Sequence, residues 1–154
     1  MVKRNSDFIF FVAAPTQGAP HRMRHPPPMI SISHDRMAAR GDQVPVLRLR
    51  GDIDLATRPA VDAALTVRLA RRPRLLVVDL THVGFVGACG LTMLVQARQR
   101  ARGAGGEVAV AGCGVAVLRA MEVTCLLGEI SPYATVADAL VAEARGGIPQ
   151  QRQP

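Results

Sequence analysis

The six residues Leu75-Leu-Val-Val-Asp-Leu80 constrain this chain more than any others. A strand with one wet face alternates apolar and polar residues. A strand this continuously apolar is covered on both faces, the condition of strands inside parallel sheets flanked by helices. The cover must be aliphatic, because the chain has no tryptophan and only 3% aromatic residues. At 154 residues the length is that of one domain.

The surroundings of this segment supply the matching elements. Ile30–Ser33 alternates, and Val44–Arg50 alternates with Leu47 and Leu49 opposite Arg48 and Arg50. Arg40-Gly41-Asp42 between them is a turn signal, so these two strands are expected as an antiparallel hairpin. Pro45 has no N–H for a ladder and marks a strand end, an edge or a bulge. A helix follows, with Thr57 as N-cap, Pro59 in its first turn, and Val61, Ala64, Leu65 and Leu69 at helical spacing. Arg71 and Arg72 suit its C-terminal dipole and Pro73 stops it. Leu91, Leu94 and Val95 form the stripe of a second helix, closed by Gly103, Gly105 and Gly106. Glu107–Ala111 reads as a short buried strand, Val115–Val123 as a helix, Glu129–Ser131 as a short strand, and Val136–Arg145 as a last helix. Thr135 and Asp138 are spaced as a capping box, and Gly146 is placed as a C-cap. Alternation of strand and helix implies a mixed, largely parallel sheet of four to five strands with about four helices packed on it.

The ends read differently. Residues 1–28 carry Pro15, Pro20 and Pro26-Pro27-Pro28, the composition of an extended, solvated chain. The apolar stretch Phe8–Ala14 is at the lower length limit for a signal peptide, Asp7 adjoins it, and no A-x-A pattern follows. Residues 1–28 are expected to be a disordered leader, or to precede a true start at Met29. Residues 29–145 form the domain, and 146–154 a loose tail. The net charge of +7 belongs mostly to the ends: residues 42–146 hold twelve basic and ten acidic side chains. Phe85 and Tyr133 are too few to interleave with basic residues as single-strand binders require, so neither nucleic acid nor membrane is expected as a partner.

Catalytic signatures are missing. There is no G-x-x-x-x-G-K-[ST] and no G-x-S-x-G. Gly112-Cys113-Gly114 opens a helix after a strand, but Val117 stands where a dinucleotide fingerprint needs its third small residue. Cys89, Cys113 and Cys125 lack zinc spacing, so no metal or other cofactor is expected, and an odd cysteine count fits a reducing cytoplasm. These three read either as small buried hydrophobes or, for Cys89 and Cys113, as a redox pair. Both follow strands of one sheet, and a helix N-terminus lowers a thiol pKa.

Val46-Leu-Arg-Leu-Arg-Gly-Asp-Ile-Asp-Leu-Ala-Thr57 and Leu75-Leu-Val-Val-Asp-Leu-Thr-His-Val-Gly-Phe-Val-Gly-Ala-Cys-Gly-Leu91 resemble a STAS domain, and most of all its anti-sigma factor antagonist branch. Gly51-x-Ile53-Asp54 and Asp79-Leu-(x)4-Phe85 leading to Cys89-Gly90-Leu91 are the specific blocks, and Gly106-Glu-Val fits as well.

The resemblance implies a protein-binding regulator and not an enzyme. Its relatives bind a serine-kinase anti-sigma factor, which frees the sigma factor, and phosphorylation of one serine in an Asp-Ser-Ser-Gly-Leu motif ends the binding. A helix N-terminus accommodates that phosphate. Here Gly87-Ala88-Cys89-Gly90-Leu91 occupies the motif, so Ala88 stands at the phosphoacceptor position without a hydroxyl and the usual switch cannot operate there. The implied contact surface is Asp54, Thr57, Gly87, Ala88, Cys89, Gly90, Leu91 and Thr92. The implied partner is an anti-sigma factor or related kinase-fold protein, met by a monomer or weak dimer. Two other roles fit such a domain, a structural subunit of an ABC-type lipid-transport ATPase and a thiol-based redox sensor.

Overall fold

The structure, a computed structural model, describes the backbone of residues 7–10 and all atoms of 29–39 and 41–145. Five strands form one sheet in the order β1-β2-β3-β4-β5: Asp7–Phe10, Ile30–Ala39, Asp42–Ile53, Leu75–Val86 and Glu107–Ala111. The first two pairings are antiparallel and the last two parallel. The mixed sheet agrees with the expected fold class. Strand β1 lies inside the segment expected to be a leader and adds to the outer edge of β2, from Asp7 opposite His34 to Phe10 opposite Ser31. The rest of that segment and the tail, with Gly146, lie outside the described residues.

Strand β4 is buried from Leu75 to Leu80 on both faces. Leu76, Val78 and Leu80 join Leu47, Leu49 and Ile53 of β3 in the larger core cluster, under α1 (Arg58–Leu69), α2 (Ala88–Gly103) and α3 (Val115–Val123). Leu75 and Val77 face the other way, with Val44, Val46, Ala109 and Ala111, under Ala139 and Leu140 of α5 (Val136–Ala144). Helix α5 covers only part of that second face; Arg48, Arg50 and Asp52 of β3 remain exposed there. Strand β4 outlasts its expected end by six residues. From His82 to Val86 it pairs with β3 alone, beyond the last β5 pairing at Asp79 with Ala111. Pro45 sits where its missing donor costs least, since the β3–β4 ladder begins one residue later, at Val46.

Two local expectations are corrected. Glu129–Ser131 is not a strand: Leu127–Ile130 form a short helix, α4, ended by Ser131 in the left-handed region at φ 44°. The reason is packing. Ile130 is buried in the larger cluster with Leu126 and Leu127 against it, a spacing of three and four residues that a helix satisfies. Thr57 holds the N-cap position of α1, yet makes no cap hydrogen bond. The Thr135–Asp138 capping box is present in full.

Two contacts fix α2 on the sheet. Its first turn lies so close that a Cβ added to Gly90 would stand 2.7 Å from Ile53 Cγ2 and 2.9 Å from Val86 Cγ1. Lower down, buried Arg98 donates from Nε to Glu107 Oε1 at 2.6 Å, and from Nη1 to the carbonyls of Glu129 and of Ile130, the latter at 2.7 Å. One side chain thus joins α2, β5 and α4. Arg102 Nε donates to Glu107 Oε2 at 2.8 Å.

Gly90→Ala is expected to lower stability by about 1–3 kcal/mol through overpacking, read as a fall in the urea midpoint; an unchanged midpoint would mean that α2 is free to lift. Arg98→Ala is expected to cost about 3 kcal/mol, because it leaves the Glu129 and Ile130 carbonyls without their donor, while Glu107 keeps Arg102, and the same titration measures it.

Candidate functional site

The ends of β3 and β4 lie side by side, and the chain leaves each in a different turn. Gly87 N–H donates to Ile53 O at 2.8 Å, which ties the start of α2 to the end of β3. Just upstream, Gly51 adopts φ 119° at a register shift in β3, and a Cβ there would approach Met29 O to 2.6 Å. Glycine is required at that crossing, which accounts for the first residue of the Gly51-x-Ile53-Asp54 block.

Asp54 builds the turn after β3. Its Oδ1 accepts from the backbone N–H of Ala56 and of Thr57, both at 2.9 Å. Thr57 Oγ1 accepts from Asp54 N–H at 3.0 Å and shares its own proton between Asp52 O at 2.7 Å and Asp54 Oδ1 at 3.1 Å. The Thr57 N–H, before all other causes, holds the Asp54 carboxyl below the usual carboxylate range. The Thr57 side chain therefore closes this turn instead of capping α1.

Helix α2 opens at Gly87, whose extended backbone offers no side-chain cap. Gly87 O accepts from Gly90 and Leu91, at 2.9 and 3.1 Å. A helix leaves its first N–H groups without partners inside the helix, and here Ala88 stands exposed among them. One turn on, Thr92 is exposed too, with its hydroxyl donating to Ala88 O at 3.0 Å.

The eight expected contact residues therefore divide. Ala88 and Thr92 are exposed; Asp54, Gly87 and Cys89 are half-buried. Thr57, Gly90 and Leu91 are buried, Leu91 with no exposed surface, so they shape the site from beneath and do not form its surface. Two large apolar side chains were missed. Leu55 is 78% exposed and Phe85 54% exposed, one in each turn-side segment of the same edge. Phe85 stands opposite Asp52 in the ladder, and its ring edge lies 3.6 Å from where a Gly87 Cβ would be. The signal for Leu55 was an aliphatic residue inside an otherwise polar turn.

The redox pair is not assembled. Gly112, which precedes Cys113, abuts Thr81, whereas Cys89 lies beyond Val86. Five residues of extended strand separate those levels, about 16 Å at ~3.3 Å per residue, against the ~7 Å that a disulfide spans between Cα atoms. Burial, and then the charge of Asp79, push the Cys113 thiol up to about 11, the opposite of an activated thiol. All three cysteines are free.

Among the described residues no group of His, Cys, Asp or Glu could hold a metal ion, and no helix is long and apolar enough to cross a membrane. A cavity of about 490 Å³ opens at the other end of the sheet, between Asp42–Pro45, Pro73–Leu75 and the end of α5. The candidate site lies at the opposite end of the sheet from this cavity, where two turns and the opening of α2 meet.

Comparison with known proteins agrees with this architecture. The anti-sigma-F factor antagonist RsfB of Mycobacterium tuberculosis is 33% identical over 104 residues, covering 68% of this chain and 84% of RsfB. The crystal structure of an anti-sigma factor antagonist from Mycobacterium paratuberculosis is likewise 33% identical, with a TM-score of 0.62 over 73% of this chain and 93% of that one. The antagonist SpoIIAA in its unphosphorylated form, at 14% identity, shares the fold with a TM-score of 0.58 over 75% of this chain and 98% of its own. Residues 36–139, from within β2 to within α5 and so including both turns of the edge, match the STAS domain family, and the chain belongs to that family.

Proposed function

We propose that this chain is an anti-sigma factor antagonist: it binds a serine-kinase-type anti-sigma factor, in the cytoplasm and without catalysing a reaction, and so regulates transcription by the sigma factor that the partner holds. The observation that carries the reading is the exposed opening of α2 at Ala88, set in a chain 33% identical to a mycobacterial antagonist over most of that protein's length. The contact edge is Ala88 and Thr92, with Asp54, Gly87 and Cys89 half-buried beside them and Leu55 and Phe85 as apolar anchors. Apolar residues of this size supply most of the energy when they fill a pocket on the partner.

In this reading the binding is constitutive. A methyl group occupies the place where relatives carry a modifiable hydroxyl, so the kinase has no acceptor there. A phosphate at that point would add nearly two negative charges to the docking edge and repel or block the partner. The domain unit is 29–145, with β1 of the preceding segment added to its sheet edge, and it acts as a monomer or weak dimer.

Affinity for the anti-sigma factor, measured by calorimetry, is expected to fall about 30-fold for Phe85→Ser and for Leu55→Asp, the ~2 kcal/mol of an interface anchor, with unfolding midpoints close to wild type. Equal affinity in both variants would move the contact elsewhere. ATP and the partner are expected to leave the chain unphosphorylated by intact mass and still bound, while Ala88→Ser gains both phosphate and release. ATP-driven release of the wild-type chain with phosphate mapped on it contradicts constitutive binding.

A further inference from the structure

Among the described residues four arginines of the helical layer have side-chain partners, and Arg58 and Arg119 stand singly. Arg68 Nε donates to His34 Nδ1 at 3.1 Å, Arg98 and Arg102 share Glu107, and Arg100 reaches Asp62 at 3.3 Å and Thr66 at 3.2 Å. Arg71, Arg72 and Arg74, in the link from α1 to β4, are all exposed and make no ion pair among the described residues.

The dipole at the end of α1 accounts for Arg71 and Arg72 only in part, and not for Arg74. The last turn of α1 already carries Arg68 at its dipole end. Arg72 sits at φ 49°, in the left-handed region where glycine or asparagine rests at lower cost. Three like charges within four residues also repel one another. The link is nevertheless held in place: Arg72 N–H donates to Leu69 O, and Arg74 O accepts from Glu107 N–H, both at 2.9 Å. Beside it runs the Gly103–Gly106 turn: a Cβ at Gly106 would collide with Pro73 O of the link, whereas added Cβ atoms at Gly103 and Gly105 would meet nothing within 4 Å. Strain and uncompensated charge kept on an anchored, uncrowded surface point to recognition.

We propose that Arg71, Arg72 and Arg74 form a docking surface for an acidic polypeptide segment of a second protein. Guanidinium forks match carboxylates in pairs, and a fixed backbone presents them with little loss of freedom. Asp42 and Glu143 stand with Arg74 around the cavity at this end, so the plane of an anionic bilayer would meet carboxylates as well as arginines. Among the described residues Phe85 is at the opposite edge and Tyr133 beside β5, so neither serves this surface for stacking bases. Helix α2 runs from Ala88 to this end over sixteen residues, about 24 Å at ~1.5 Å per residue. The acidic segment and the partner proposed at the α2 opening therefore bind at once, and neither proposal depends on the other.

The full chain is titrated against a fluorescein-labelled ten-residue glutamate peptide by anisotropy. Saturable binding is expected, weakened at least about tenfold by the Arg71→Gln/Arg72→Gly/Arg74→Gln variant and by raising salt to about 0.5 M, where the Debye length falls below ~5 Å. Arg72→Gly alone is expected to bind several-fold more weakly while its urea midpoint rises, which separates recognition from folding. The Arg36→Gln/Arg50→Gln/Arg119→Gln control, of equal net charge, keeps wild-type affinity. No saturable binding, equal losses in both triple variants, or tighter binding to phosphatidylserine vesicles or duplex DNA than to the peptide would overturn the proposal.

Discussion

Burial of β4 on both faces is the constraint from which the rest of this structure follows. A strand apolar on two sides needs two layers of cover, and a parallel neighbour needs a crossover long enough to hold a helix. Those requirements bring α1 and α2 over one face and α5 over the other, with β3 and β5 as parallel neighbours. They also place both crossover openings, Asp54–Thr57 and Gly87–Ala88, at the same end of the sheet. The candidate site is therefore a product of sheet direction. Neither turn would make a surface alone.

That surface is precise because what lies under it is close-packed. Leu91 has no exposure, and Gly90 brings the helix backbone onto Ile53 and Val86. The Asp54–Thr57 hydrogen bonds fix the neighbouring turn, and Gly87 N–H to Ile53 O joins the two. The resemblance treated buried and exposed motif residues alike. In the structure, Thr57, Gly90 and Leu91 lie buried beneath the edge, and Ala88 and Thr92 are exposed on it. The side chain at position 88 can therefore differ without disturbing the packed residues beneath it.

At the other end of α2, Arg98 solves a different problem. The carbonyls of Glu129 and Ile130 end a helix of four residues, too short to satisfy its own polar groups. A guanidinium paired with Glu107 reaches both. Arg98 reads in sequence as one more polar residue of an arginine-rich helix, and nothing local distinguishes it from Arg100, whose partners lie at the surface. Its burial comes from α4, an element that pattern reading takes for a strand, so the two misreadings share one cause.

Strands β2 to β5, the three long helices of the larger cores, the hairpin and the Thr135–Asp138 capping box are legible from periodicity and local chemistry, because each depends on residues a few positions apart; β1, in a segment read as leader, was not. The six further residues of β4 were hidden, since Thr81, His82, Gly84 and Phe85 are exposed and only Val83 and Val86 point inward. Exposure of Leu55 and Phe85, burial of Thr57, and the distance between Cys89 and Cys113 were undecided for the same reason. Each depends on how far one strand runs past its neighbour. Sequence determined which elements form and which face of each seeks cover; tertiary structure decided the heights at which they end, because register is a property of pairs of strands and not of either strand alone.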